Sequence, residues 1–203
     1  GGRILLDGQD INARSYDRSI LRRQVGIVFQ HPEYQLFEST VEKDVTFGLK
    51  HSGLNRREIS ERVAWALTTM GFSFDAIRAQ SPLSLSGGEK RRVAIAGILA
   101  MRPKIMIFDE PFAGLDALGR EAFLQLAKNL HASGLTMIMI SHHADAIAEL
   151  ATRLLVLSKG KLSIDSTVEQ AFSDISRMQS LHLDVSAARQ ISSLLSERGW
   201  ALP

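Results

Sequence analysis

Short apolar runs alternate along the chain with segments of helical periodicity. The runs are four or five residues long, and each ends abruptly at polar residues. They cover residues 25–29, 105–108, 137–140 and 154–157. Runs of this length favour buried parallel strands over helices of ordinary length. Because residues 87–101, 118–131 and 144–151 have helical spacing, the pattern predicts an α/β domain with a mainly parallel sheet.

Residues 36–84 interrupt this alternation. Within them, residues 56–70 place apolar side chains at helical spacing, which predicts an amphipathic helix inside a mostly helical insertion. The tail after Gln170 is a second appendage to the α/β pattern. One face of a helix predicted in this tail would carry Val185, Ala188, Ile191 and Leu195.

Composition narrows the classes of protein that fit the chain. Its 203 residues are enough for one domain with an insertion, and 45% hydrophobic with 23% charged residues is typical of globular proteins. Without Cys, the chain forms neither a disulfide nor a thiolate metal site, which suits a reducing compartment. Its net charge of +2 is small and its basic residues are scattered, so neither feature indicates nucleic acid as a partner. No apolar stretch approaches the ~20 residues that cross a bilayer as a helix.

Polar side chains that suit phosphate chemistry follow the predicted strands. Gln30, Asp109, Glu110 and His142 each come after an apolar run. Because parallel sheets bind ligands at the carboxyl ends of their strands, we expect these four to meet at one edge. One carboxylate would hold Mg²⁺, its neighbour would orient or deprotonate a water molecule, and the imidazole would help to position a phosphate. An isolated Asp-Glu pair is more typical of a helix cap or a solvated loop, but the apolar strand before it and Pro111 after it argue against that alternative.

The start of the predicted helix at Ser86 is a second candidate for phosphate binding. Ser86 is a good N-cap, and Gly87 and Gly88 let a ligand approach the backbone closely. Free N–H groups and a partial positive charge at a helix N-terminus favour phosphate. Taken alone, the same residues are also consistent with an ordinary capped helix after a loop that contains glycine.

Together these segments resemble the motifs of ABC-type ATPases. Residues 85–89 (Leu-Ser-Gly-Gly-Glu) resemble the signature motif, and residues 105–111 resemble the Walker B strand with its catalytic Glu. Residues 113–116 resemble the D-loop, Gln30 matches the Q-loop glutamine and His142 matches the switch histidine. The five elements occur in the order that the family has, which makes the resemblance highly specific.

The resemblance covers about residues 1–170 and implies a fold. The implied fold is α/β, a P-loop NTPase (RecA-like) core with a mainly parallel sheet. Residues 1–35 and 97–170 would form this core, and residues 36–96 would form an inserted helical signature subdomain. Residues 171–203 would form a short C-terminal extension, a candidate dimerisation element.

The resemblance also implies roles for individual residues. Glu110 would be the general base, and His142 would contact the γ-phosphate of ATP. Asp109 and Gln30 would hold Mg²⁺ through the nucleotide, and Gln30 would link the site to a membrane partner. The residues expected to bind the ATP of an opposite subunit are Ser86, Gly87, Gly88 and Glu89 of the signature and Asp116 of the D-loop. The signature would therefore work only in a head-to-tail dimer.

The chain departs from the family's pattern in several places. Glu89 stands where Gln is usual, Phe112 where Thr is frequent and His143 where Asp is common. A larger departure is the Walker A loop, whose pattern of Gly, four residues and Gly-Lys-Ser/Thr occurs nowhere in the chain. We therefore expect the chain alone to bind ATP poorly and hydrolyse it negligibly. Because the sequence also starts without Met, we interpret it as a truncated one.

Further segments indicate a subgroup of ABC ATPases. Residues 31–38, 40–45 and 91–101 resemble the ATPases of energy-coupling factor (ECF) transporters, which import vitamins or transition-metal ions. This resemblance implies a peripheral subunit on the cytoplasmic face of the cell membrane. It would pair with a second ABC ATPase subunit, identical or different, and dock on a transmembrane coupling subunit. A separate membrane subunit would bind the substrate, and no nucleic acid would take part.

Three alternatives remain open from the sequence. The chain would fit an ATPase of another ABC importer class, in which the same residues serve only for packing. A soluble ABC ATPase that acts on DNA or ribosomes usually has coiled-coil insertions or tandem cassettes, and neither occurs between Gln30 and Leu85. A catalytically dead interaction module that keeps only the signature half of the interface would also fit a chain without a Walker A loop.

Overall fold

The computed structural model describes residues 2–181 together with Leu183 and Ile191. The chain forms two compact units. The first unit comprises Gly1–Ala113 and Asn129–Ile140, and the second comprises Gly114–Lys128 and Ser141–Pro203. The subdomain boundaries that the sequence suggests, 36–96 for the helical insertion among them, stay predictions.

The first unit contains the parallel sheet that the sequence predicts. A short antiparallel hairpin, β1 (Leu5–Leu6) and β2 (Gln9–Asp10), precedes helix α1 (Arg18–Gln24). The sheet itself has the order β3-β4-β5 and consists of β3 (Val25–Val28), β4 (Ile105–Asp109) and β5 (Thr136–Ile140). Both strand pairings are parallel. The α/β fold class is thereby confirmed.

The two faces of this sheet differ in burial. Val28, Met106 and Phe108 are fully buried on one face, whereas Ile27 and Ile138 on the other are exposed. This alternation follows from the strand geometry, which points successive side chains to opposite faces. The buried face is part of the core of the first unit, and the exposed face presents isoleucine side chains at the surface.

Four helices of the first unit pack beside one another. They are α2 (Val41–Phe47), α3 (Arg56–Thr69), α4 (Phe74–Ile77) and α5 (Gly87–Leu99). Helix α3 is the amphipathic helix predicted for residues 56–70, and Asn55 starts it with a capping box to Glu58. Val63, Ala66 and Leu67 bury its apolar face. Short 3₁₀ turns, Pro32–Gln35 and Pro82–Ser84, complete this part of the chain.

Helix α5 lies directly against the sheet because β3 carries a glycine. A Cβ atom at Gly26 would lie 2.5 Å from Cγ2 of Ile98 and 3.4 Å from Cγ of Pro103. Only the hydrogen atom of glycine leaves room for Ile98 at this distance. The close approach fixes α5, and with it the start of that helix at Ser86, relative to the parallel sheet.

The second unit has its own small core. Helix α6 (Ala117–Ala132) begins in this unit, which also contains α7 (Ala144–Leu150), β6 (Arg153–Ser158), β7 (Lys161–Thr167), α8 (Val168–Ser173) and α9 (Ile175–Ser180). The core residues Val156, Ile164, Phe172 and Met178 come from both strands and from the last two helices.

One strand prediction was wrong. Residues 154–157 lie in β6, but β6 pairs antiparallel with β7 in a separate two-stranded sheet instead of joining the parallel one. Lys159 and Gly160 both have positive φ, +50° and +74°, which suits a two-residue hairpin turn and forces the chain straight back. Leu157 is also 76% exposed rather than buried.

Of the helix predicted to carry Val185, Ala188, Ile191 and Leu195, only Ile191 lies within the described residues, where it is helical. Within the described part of the chain, no helix is both long and apolar enough to cross a membrane.

Candidate functional site

The carboxyl ends of β3 and β4 bring three of the predicted site residues to one edge of the sheet. Val28 pairs with Phe108 in the parallel register, so both strands end at the same level. Asp109 is the last residue of β4 and Glu110 follows it, while Gln30 comes two residues after β3. The sequence placed Asp109 just beyond its strand, and the structure moves it one position, into the strand. An amide and two carboxylates therefore lie at or just after the carboxyl ends of these two neighbouring strands.

Glu110 has an unusual backbone conformation. Its φ of +46° lies in the left-handed region, which for a residue other than glycine costs about 1–3 kcal/mol. Its N–H donates a hydrogen bond of 2.9 Å to the carbonyl oxygen of Ile140, the last residue of β5. The neighbouring strand thus holds the turn that directs the chain away from the sheet. The sequence contains no sign of this, because the conformation depends on β5.

The signature segment begins helix α5 with two reciprocal hydrogen bonds. The Ser86 hydroxyl accepts a bond of 3.3 Å from the Glu89 backbone N–H, and the Ser86 backbone N–H donates one of 2.9 Å to the Glu89 carboxylate. The Ser86 hydroxyl also donates to that carboxylate at 2.7 Å. Among the residues that the structure describes, a Cβ atom at Gly87 or Gly88 would meet nothing within 4 Å. The backbone at the start of this 13-residue helix is therefore open to a ligand.

Comparison with known proteins agrees with this geometry. Residues 1–113 match the ABC transporter family. The energy-coupling factor transporter ATP-binding protein EcfA2 of Clostridium tetani is 44% identical over 200 residues, which cover 98% of this chain and 69% of that protein. The EcfA2 protein of Symbiobacterium thermophilum is 42% identical over 202 residues, which cover 100% of this chain and 70% of that protein. The chain belongs to the ATP-binding proteins of ECF transporters, within the ABC family.

A solved structure supports the same assignment. The cbiO1 protein of Clostridium perfringens, described as part of the ABC transporter complex cbiONQ, superposes with a TM-score of 0.76 and 33% sequence identity. The match covers 95% of this chain and 76% of that one. The P-loop NTPase fold that the resemblance implied is therefore confirmed for this ECF ATPase.

The remaining site residues of this ECF ATPase lie in its second unit. Asp116 is exposed, and its side chain accepts a hydrogen bond of 2.7 Å from the Gly119 N–H in the first turn of α6. His142 is exposed and lies two residues after β5 ends, with its ring stacked on that of His143 at a centroid distance of 4.4 Å. The expectation that His142 meets the carboxylates at the sheet edge stays a prediction.

Glu89 caps helix α5. This role was not predicted from the sequence, where Glu89 was noted only as a replacement of the family's usual Gln. The Ser-x-x-Glu spacing of a capping box was the available indication. Hydrogen bonds from the Ser86 hydroxyl and backbone, with the nearby Arg92 charge contributing least, hold the pKa of the Glu89 carboxyl below its ordinary value of 4.5. The ionised carboxylate is thus the form that the signature segment stabilises.

We expect a pH-dependent contribution of Glu89 to stability. Because its folded pKa is lowered, this contribution is fully present above pH 4.5 and is lost as the pH falls through the folded pKa. The melting temperature of the wild type should exceed that of Glu89→Gln at pH 7, and the two should converge below the folded pKa. Thermal unfolding of both proteins between pH 3 and 7 measures this difference, and a constant difference across the range would contradict the assignment.

Proposed function

We propose that this ECF ATPase supplies the signature half of an ATP site in a head-to-tail pair of ATPase subunits. The observation that carries this proposal is the open start of α5, where Gly87 and Gly88 leave the backbone N–H groups accessible. The γ-phosphate of ATP on the facing subunit is an anion that suits these groups and the helix dipole. The Ser86 hydroxyl would rotate away from the Glu89 carboxylate, to which it donates in this structure, and would donate a hydrogen bond to the same phosphate.

The strand edge would provide the second half of the chemistry. Glu110 would accept a proton from the attacking water molecule, and His142 would hydrogen-bond to the γ-phosphate. Asp109 and Gln30 would hold Mg²⁺, because their carboxylate and amide oxygens are of the kind that this ion prefers as ligands. When bound, Mg²⁺ neutralises negative charge on the phosphates. Asp116 would contribute from the D-loop across the subunit interface.

The relatives' names support a place in a membrane transporter. We propose that the chain pairs with a second ABC ATPase subunit and docks on a transmembrane coupling subunit at the cytoplasmic face of the membrane. A separate membrane subunit would select the cargo, a vitamin or a transition-metal ion. The supporting observations are the ECF transporter names of relatives about 40% identical to this chain and a structural neighbour from a transporter complex.

These 203 residues contain no Gly-Lys-Ser/Thr phosphate-binding loop. Most protein contacts to the β- and γ-phosphates come from such a loop. We therefore propose that this stretch of chain does not hydrolyse ATP by itself and acts through the signature face. A catalytically dead interaction module would behave in the same way. Adding a phosphate-binding loop to the chain would distinguish it from an ATPase subunit, because only the ATPase subunit would then turn over ATP.

The proposal is tested by complementation of a partner site. The partner is an ECF ATPase with an intact phosphate-binding loop and an inactivated signature, so that it cannot complete its own site. Adding this chain should raise ATP hydrolysis until the two proteins are present in equal amounts. Absence of any increase, or equal hydrolysis by this chain alone, would contradict the proposal.

A further inference from the structure

Arg91 is a charged residue buried inside the first unit. It lies two residues after Glu89 on helix α5, and its exposed fraction is only 7%. Arginine is almost never this buried unless its guanidinium group is paired. Sequence pattern does not single it out, because a basic residue on a helix is normally solvated.

The guanidinium group ties α5 to the segment that follows Glu110. Nη1 donates a hydrogen bond of 3.1 Å to the carbonyl oxygen of Ala113, and Nη2 donates one to the carbonyl oxygen of Pro111. Both acceptors belong to the three residues directly after Glu110. The helix that starts with the signature is therefore linked by one side chain to the chain segment that leaves the sheet edge.

A second pairing is available to the same side chain. Within the described residues, Nε of Arg91 is buried without a hydrogen-bond partner, and so is Oε2 of Glu33. Burial lowers the pKa of Arg91, and the negative charge of Glu33 opposes that shift, which identifies Glu33 as a nearby anion. A buried donor and a buried acceptor of opposite charge, each unsatisfied, are costly as they stand.

Glu33 belongs to the segment that follows Gln30. It lies in the 3₁₀ turn Pro32–Gln35, which packs against α5. Its other carboxylate oxygen, Oε1, is 3.1 Å from Nδ1 of His31, the residue directly after Gln30. A movement of Arg91 toward Glu33 would therefore change the surroundings of His31, the residue next to Gln30.

We propose that Arg91 is a positioning residue with two alternative partners. In this structure it holds the carbonyl groups of Pro111 and Ala113, and in another state of the ATP cycle it forms an ion pair with Glu33. Both arrangements give the guanidinium group oxygen acceptors, and a packed interior favours two separate arrangements over a continuous shift between them. The signature helix, the segment after Glu110 and the segment after Gln30 would thereby change together. This inference rests on the proposed function, in which the chain docks on a transmembrane coupling subunit, and on the expected link of Gln30 to that membrane partner.

The test compares ATP hydrolysis with and without the membrane coupling subunit. It uses the assembled transporter that contains this ATPase and its partner ATPase. Glu33→Gln keeps the size of the side chain and removes the charge that would attract Arg91. The matched control is Glu38→Gln, which removes a charge from the same part of the chain, where Glu38 pairs with Lys50 at 3.3 Å.

We expect Glu33→Gln to lower the stimulation by the coupling subunit at least about fivefold, the lower end of coupling between sites. The control should change it less than twofold. Arg91→Gln should lower the stimulation too, and the double variant should be no worse than Arg91→Gln alone, because both substitutions remove the same pairing. A stimulation unchanged in Glu33→Gln would overturn the inference, even if Arg91→Gln lowers activity and melting temperature together, since that pattern is a packing effect alone. A wild-type transporter that hydrolyses no ATP would instead overturn the proposed function, and this inference with it.

Discussion

Replacing Glu110 with Gln should lower ATP turnover by roughly 100- to 10,000-fold while nucleotide binding persists. The amide cannot accept the proton of the attacking water, but it has nearly the size and shape of the carboxylate. The unusual turn at this position should survive, because the bond that holds it runs from the backbone N–H of Glu110 to Ile140. The measurement is steady-state ATP hydrolysis, with a separate nucleotide-binding titration, in a form of the protein that carries a phosphate-binding loop.

A matched variant separates this effect from a general loss of negative charge. Glu61 on α3 is exposed and pairs with Arg57 at 2.8 Å, so Glu61→Gln should leave turnover within about twofold, as surface substitutions usually do. Turnover of Glu110→Gln within tenfold of the wild type would remove Glu110 as the base. Loss of nucleotide binding in the same variant would point instead to a role in holding the substrate.

Gly88→Asp should abolish the ability of this chain to activate a partner ATPase, with a loss of roughly 100-fold or more, as when a donor to a developing charge is removed. The new carboxylate would stand where the γ-phosphate of the partner's ATP approaches, and two anions repel each other there. The fold should tolerate the change, because a Cβ atom at this position would meet no described residue within 4 Å. An acidic residue in the first turn of a helix is even favourable.

The variant therefore separates an effect on function from an effect on stability. Its melting temperature should equal or exceed that of the wild type, while activation of the partner is lost. Ser60→Asp provides the control, since it adds the same charge at an exposed position of α3. If Gly88→Asp still activates the partner, the signature face does not approach the nucleotide.

Much of the first unit could be predicted from local pattern alone. The strands β3, β4 and β5 and the helices α3 and α5 were indicated by the length and period of their apolar residues, which local sequence determines. Residues 154–157 have the same length and composition, yet they pair antiparallel. Their partner is decided by the turn that follows, so the Lys159-Gly160 dipeptide was a better guide than the apolar run.

The site was predictable only where strand polarity decides it. Gln30, Asp109 and Glu110 were placed at one edge because parallel strands end together. The positive φ of Glu110 and the burial of Arg91 both depend on residues distant in sequence. No single-sequence pattern records which distant segment covers a given arginine, so these two features required the structure. The cap formed by Glu89 was partly predictable. The Ser-x-x-Glu spacing indicates a capping box, but Glu89 was interpreted only as a departure from the family's usual Gln.

The exposed isoleucine face of the parallel sheet has a consequence for handling the protein. Ile27, Ile138 and Ile140 are each about half exposed, and β3 and β5 are the outer strands of this sheet within the described residues. Apolar side chains beside unpaired strand edges favour aggregation through backbone pairing between molecules. We therefore expect the solubility of the isolated chain to be limited by aggregation through this face.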